Sequence, residues 1–258
     1  MTTLYESLTE VTLLAQEAFR SSFVVFLRVG AAMALLPAFG ETSVPQRIRL
    51  VLAFAFTAIV FPAVRDRIPQ FDGSPMLLLS ETAIGLLLGL GLRLFVMALQ
   101  TAGTIAAQAT SLAQLFGGAT GEPQPVIGNL LTMAGLALAV AGGLHVRAAE
   151  LFIMSYDFFP PGQLPDASDV SIWGLHQIAR AFTLAFMLAM PFVAASLVFN
   201  LALGIINRAM PQLMVTFIGA PALTFGGLVL LLVTAPAALA LWLQAMNRFL
   251  EAPFVVTP

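Results

Sequence analysis

The chain has 258 residues, of which 59% are hydrophobic and 9% charged, against about 25% charge in an ordinary soluble domain. So little charge cannot cover the exterior of a water-soluble fold, and so much apolar surface excludes a disordered chain, which leaves a membrane protein. All 11 basic residues are arginine and the net charge is −2, so the composition offers no basic face for nucleic acid and no polybasic cluster for anionic lipid, and the absence of cysteine excludes disulfides and thiolate chemistry.

Intervals poor in charge predict the helices, in chain order. Glu6, Glu10 and Glu17 precede the first apolar run, where a secretory signal would be cationic, so no cleaved leader is expected. Ser21 to Phe39 is apolar apart from Arg28, and Leu50 to Val64 is uncharged. Met76 to Leu99 is apolar with Glu81 and Arg93 embedded, and Leu94 to Gly121 is uncharged but carries polar side chains. Within it, Gln100, Thr104, Gln108 and Ser111 recur at helical spacing and form one polar stripe, which faces either packed partner helices or a water-filled path. The run from Gln114 to Pro125 holds three glycines, two prolines and one acid, and reads as a loop.

Val126 to Val146 and Ala181 to Asn207 are uncharged, and the Pro/Asp-rich stretch from Tyr156 to Gly174 reads as an external loop. Ala209 to Asn247 is a 39-residue stretch without charge, nearly twice the roughly 20 residues that cross a bilayer. It is expected to be a hairpin or a broken helix, with Pro221 and Gly226-Gly227 as break points. Six or seven hydrophobic helices follow, depending on how that stretch is counted. Arginine placement suits an N-out chain, with Arg47, Arg49 and Arg208 inside.

Charges within apolar runs are candidate functional groups, here Arg28, Glu81, Arg93 and Arg208. Arg28 and Arg93 alternatively snorkel to an interface, and Glu81 alternatively sits at a helix N-terminus. Gly85, Gly89 and Gly91 make a small-residue stripe suited to close helix packing. No catalytic set emerges: His145 and His176 are the only histidines, no cluster has metal-ligand spacing, and no nucleophile or nucleotide motif is present. No cofactor is expected.

Several phrases, in order, carry a family resemblance. They are Phe26-Leu-Arg-Val-Gly30, Phe39-Gly-Glu-Thr-Ser-Val-Pro-Gln-Arg-Ile-Arg49, Glu81-Thr-Ala-Ile-Gly85 and Ala98-Leu-Gln-Thr-Ala-Gly103. Leu115-Phe116 with Gly121-Glu122, Pro160-Pro-Gly162 and Ala202-Leu-Gly-Ile-Ile-Asn-Arg-Ala-Met-Pro-Gln-Leu213 continue the series. Together they resemble the FliR/SctT family, the R subunit of the flagellar and type III secretion export gate. The resemblance implies an all-α, polytopic-looking chain of kinked helical hairpins within a helical hetero-oligomer. It implies a P-like portion over about residues 1–175 and a Q-like helical hairpin over about 176–258.

Also implied are P-type and Q-type partners around one R copy, a B-type switch subunit, exported proteins in transit, and a multi-pass place in the bacterial inner membrane. The function implied is non-enzymatic: part of a conduit for unfolded substrates, flagellar in the favoured reading, plugged by the loop Leu115, Phe116, Gly117, Gly118, Ala119, Thr120, Gly121 and Glu122. Gly117-Gly118 stand where the family usually has Asp-Pro, which loosens the plug and removes a charge. Met214 and Thr216 replace the Asn and Phe of a later family phrase, and His145 is displaced from a family Gly-His pair. The alternative reading is a secondary transporter of a small solute, which would need an inverted repeat with matching breaks. An intramembrane enzyme would need a nucleophile and base within the spans.

Overall fold

In the structure, a computed structural model, the described residues are 2–69, 74–115, 126–210 and 215–254. They form seven α-helices: α1 (Thr2–Met33), α2 (Gln46–Val64), α3 (Pro75–Leu115), α4 (Val126–Ala141), α5 (Leu144–Phe158), α6 (Ala167–Ala209) and α7 (Val215–Glu251). One turn of 3-10 helix, Arg65–Arg67, follows α2. No strand occurs among the described residues. Four helical stretches are long and apolar enough to cross a membrane: Gln46–Arg67, Pro75–Thr110, Ala167–Ala209 and Ala222–Glu251. A fifth passes only as a pair, Ile127–Ala141 with Leu144–Phe158, bent by 72°. Gly143 makes that bend with φ 83°, a left-handed conformation that residues with a Cβ rarely adopt.

Several helices are longer than the charge-free intervals suggest. Met76–Leu99 and the polar stretch after it merge into the 41 residues of α3. The interval expected as an external loop is helical up to Phe158 and again from Ala167, so only the short segment between lies outside helix. The terminal uncharged stretch is not a hairpin in itself. From Val215 onward it is one 37-residue helix that passes through Pro221, Gly226-Gly227 and Pro236 without a break. Backbone groups in an apolar medium find no water to compete for them, so a proline costs one bond without ending the helix. Gly227 has a packing role instead: a Cβ there would lie 2.7 Å from Thr110 Cγ2.

The chain divides into two compact units that interleave along the sequence. The first comprises Met1–Arg93, Val140–Gly174 and Leu250–Pro258. Its core includes Val25, Val29, Leu36, Val60, Ile84, Leu88 and Phe152, all fully buried. The crossing of α1 and α3 is set by two glycines one turn apart. A Cβ on Gly85 would stand 2.2 Å from the Arg28 carbonyl oxygen, and one on Gly89 2.7 Å from that of Ala32. Backbone meets backbone there, the use expected of small residues where lipid gives helices no drive to associate.

The second unit comprises Leu94–Ala139 and Leu175–Phe249. In it α6 and α7 pair antiparallel, since Leu203 meets Gly219 while Phe192 packs near Leu230 and Leu231. The helical hairpin therefore has α6 and α7 as its arms. The C-terminal half of α3 joins it through Ala106 and Ala109, which share a buried cluster with Phe192. Helix α4 runs back along α3, with Gly103 so close to Gly128 that a Cβ would lie 2.1 Å from its Cα. Trp242 of α7 is fully buried and donates its indole N–H to the Phe95 carbonyl at 2.8 Å.

Candidate functional site

The polar stripe occupies one outward face of α3 in the second unit. Gln100, Thr104 and Gln108 are exposed, whereas Ala102, Ala106 and Ala107, one or two residues away, are buried. The 3.6-residue period produces this split: the alanine side packs on α4 and on the α6–α7 pair, and the polar side is left open. Thr104 turns its hydroxyl back to the Gln100 carbonyl at 2.9 Å, so the glutamines present the stripe's outward polar groups. Ser111 extends the same register on the helix. Leu115 is the last residue of α3. Phe116, Gly117, Gly118, Ala119, Thr120, Gly121 and Glu122, the rest of the sequence-predicted loop, lie outside the described residues.

The charges embedded in apolar sequence are disposed in three ways. Arg28 and Glu81 meet in the first unit with no exposure of either side chain. Arg28 donates from Nε to Glu81 Oε2 and from Nη2 to Oε1, both at 2.8 Å. It also donates to Ser155 Oγ at 3.1 Å and to the Phe159 carbonyl at 2.9 Å, and its guanidinium lies 3.8 Å from the centre of the Tyr156 ring. Tyr156 donates its hydroxyl to Glu81 Oε2 at 3.2 Å. Neither charge snorkels, and Glu81 lies beyond the first turn of α3. A bidentate pair with its remaining polar atoms satisfied is the form in which a buried charge is tolerated.

Arg93 forms a second pair, with Glu41 of the α1–α2 loop, at side-chain exposures of 24% and 16%. That loop is held again by Arg49, which donates to the carbonyls of Val44 and Glu41, each at 3.0 Å. Arg208 is different. It is exposed, one residue from the end of α6, and among the described residues nothing lies within 4 Å of a Cβ position at Gly204, one turn before it. Sequence reasoning named Arg28, Glu81 and Arg93 but missed Glu41 and Tyr156 as their partners. The signal was present for Glu81, the one acid embedded in an apolar run with a buried arginine to neutralise.

At the start of α6, Asp166 accepts the Ser168 hydroxyl and, at 2.8 Å, the Ser168 amide, an N-cap. The hydroxyl first and the amide second hold its carboxyl below the ordinary carboxylate range. His145 and His176 are exposed, and no group of three metal-binding side chains forms among the described residues. The arrangement is one of packing, neutralised charge and an outward polar stripe.

The family model for bacterial export proteins, family 1, matches residues 19–249. The flagellar biosynthetic protein FliR of Caulobacter vibrioides is 32% identical over 234 residues, covering 88% of this chain and 93% of that protein. That of Bacillus subtilis is 30% identical over 215 residues, covering 80% and 82%. That of Escherichia coli is 30% identical over 203 residues, covering 77% and 78%. The match takes in both units, including the Arg28–Glu81 pair and the polar stripe, and the chain belongs to the FliR family of bacterial export proteins.

Proposed function

We propose that this chain is a non-enzymatic subunit of the flagellar protein-export gate and forms part of its conduit for unfolded substrates. The observation that carries the reading is the stripe of Gln100, Thr104 and Gln108. It is polar and exposed on an otherwise apolar helix, and it leads toward the Gly-rich segment 116–122. Polar side chains on a membrane helix face protein or water, because hydrocarbon offers them no partner. In this reading the stripe lines the conduit, and the loop from Leu115 to Glu122 closes it when no substrate is present. The flagellar assignment follows the names of the relatives.

The gate is a hetero-oligomer in the bacterial inner membrane, with P-type and Q-type subunits covering the chain's apolar exterior and a B-type subunit beside it. About residues 1–175 act as the P-like portion and about 176–258 as the Q-like hairpin. The outward side chains fit such cover: Leu197, Phe225 and Leu232 are 70%, 70% and 78% exposed. Surface of that character marks an interaction face. Arg93 and the Arg28–Glu81 pair hold the chain's own helices for assembly, and Arg208 pairs with an acid of a neighbouring subunit. Two measurements test the reading. The chain should co-purify with two other small hydrophobic proteins in unequal ratio, and deleting Gly117–Gly121 should make the reconstituted closed gate leak small ions. A monodisperse homo-oligomer, or unchanged conductance of the deletion variant, would overturn it.

A further inference from the structure

A pocket of about 470 Å³ opens in the first unit where α5 ends and α6 begins, along the stretch that carries Pro160-Pro-Gly162. Its walls include Phe158, Phe159, Trp173 and Phe254. These walls are held in place. The Trp173 indole N–H donates to the Pro253 carbonyl at 2.8 Å, next to Phe254. Phe254 meets Phe158 and Phe159 at ring-centre distances of 4.9 and 4.8 Å. Phe159 is tethered at its own carbonyl by Arg28, at 2.9 Å.

The charged residues of the lining are Asp166 and Asp169, and no base lines the pocket among the described residues. The two acids recur with Val170 and Trp173 at helical spacing, so the same face of α6 carries both carboxylates and the indole. Asp166 is engaged as the cap of α6 through Ser168. No ion pair to Asp169 is found among the described residues. Asp157, beside Phe158 in the sequence, is already paired with Arg67. The pocket therefore joins an aromatic wall to uncompensated negative charge, at the end of the span Ala167–Ala209.

We propose that this pocket seats one arginine or lysine side chain of a neighbouring subunit, its aliphatic stem along the rings and its cation at Asp169. The inference rests on the hetero-oligomer of the proposed function. Arginine and lysine combine an apolar stem with a charged head, and a cation gains from both an aromatic face and a carboxylate. The chain already uses this combination internally: Arg28 lies 3.8 Å from the centre of the Tyr156 ring while bonded to Glu81. Other cations fit less well. A metal ion takes more ligands than two carboxylates, and no group of three metal-binding side chains forms among the described residues. An amine-bearing phospholipid would bring its phosphate up to two acids, with no base in the lining to receive it.

The test uses the assembled gate with the photoreactive residue p-benzoylphenylalanine in place of Leu164, which lines the pocket and is 42% exposed. Illumination and mass spectrometry of the cross-linked product identify the occupant. A segment of another subunit is expected, with an arginine or lysine within about one helical turn, roughly four residues, of the cross-link. Asp169→Asn should lower that cross-link about tenfold, the loss of one charge-assisted contact. Asp166→Asn keeps a capping side chain and should lower it less. Asp169→Arg should reduce the yield of complex, and exchanging the identified base for aspartate should restore it, a rescue that damage to the fold of α6 could not give. Cross-links to lipid, to a segment without a base, or to nothing would each overturn the proposal, as would a cross-link unchanged by Asp169→Asn or a failed rescue. Subunits that co-purify without this cross-link would sink the pocket alone, whereas the absence of any co-purifying subunit would overturn the proposed function and the pocket with it.

Discussion

The guanidinium of Arg28 and the carboxylate of Glu81 face each other through two hydrogen bonds of 2.8 Å, and neither side chain reaches solvent. A pair of this kind ties α1 to α3 at the point where Gly85 lets the two backbones touch. Removing one partner leaves a charge that the interior cannot solvate. Glu81→Gln and Arg28→Met should therefore each destabilise the first unit by about 3–5 kcal/mol. The double variant Arg28→Met with Glu81→Met should recover most of that loss, and Tyr156→Phe should cost only about 1 kcal/mol. Thermal unfolding of the purified protein, followed through Trp173 and Trp242, measures all four.

The glycines separate internal packing from outward surface. Gly85→Ala places a methyl where the Arg28 carbonyl oxygen stands, so α1 and α3 must move apart, at about 1–3 kcal/mol. Gly204→Ala meets nothing within 4 Å among the described residues. It should leave the isolated chain's melting temperature unchanged or raise it, because alanine is the better helix former. Melting curves of the two variants side by side check this contrast.

Arg208 should matter for assembly and not for the fold of the chain. It is exposed, and no ion pair to it is found among the described residues. Arg208→Ala should leave expression of the chain intact and reduce the yield of the assembled complex, read by size-exclusion chromatography of solubilised membranes. Normal yield would show that the side chain simply faces water.

Asp166 makes the first turn of α6 sensitive to acid. Its carboxyl is held below the ordinary range chiefly by the Ser168 hydroxyl, then by the Ser168 amide. A depressed folded-state value means that this contribution is present above the ordinary carboxylate pKa. It is lost as pH falls through the lower folded value. Amide exchange over residues 167–170, corrected for its intrinsic pH dependence, should rise in that acid window. Asp166→Ala should show the faster exchange already at neutral pH.

Much of the helical content was legible from charge-free runs, because a membrane helix must satisfy its backbone internally and uses apolar side chains to do so. The helix ends were less so. Proline and glycine mark breaks in water, but α7 runs through Pro221 and Gly226-Gly227, and α6 through Pro191. The pairing of Arg28 with Glu81 was half legible: both were conspicuous as charges in apolar runs, while their meeting depends on a crossing set by Gly85 and Gly89. Tyr156, near the end of α5, carried no signal, since a tyrosine near a helix end is unremarkable until an arginine is placed over its ring. The stripe of Gln100, Thr104 and Gln108 was readable from spacing alone. Its exposure was not, because period tells which residues share a face and not what that face meets.

The central claim is that this stripe lines the path of exported protein, and site-directed cross-linking to a substrate in transit tests it most directly. The chain has no native cysteine, so single cysteines at Gln100, Thr104 and Gln108 report only their own positions, with Ala102 and Ala106 on the buried side as controls. With an export substrate stalled in the assembled gate, the three stripe positions should cross-link to the substrate and the two alanine positions should not. Cross-links from the stripe to neighbouring subunits alone, with none to the stalled substrate, would contradict the account and make the stripe a packing surface.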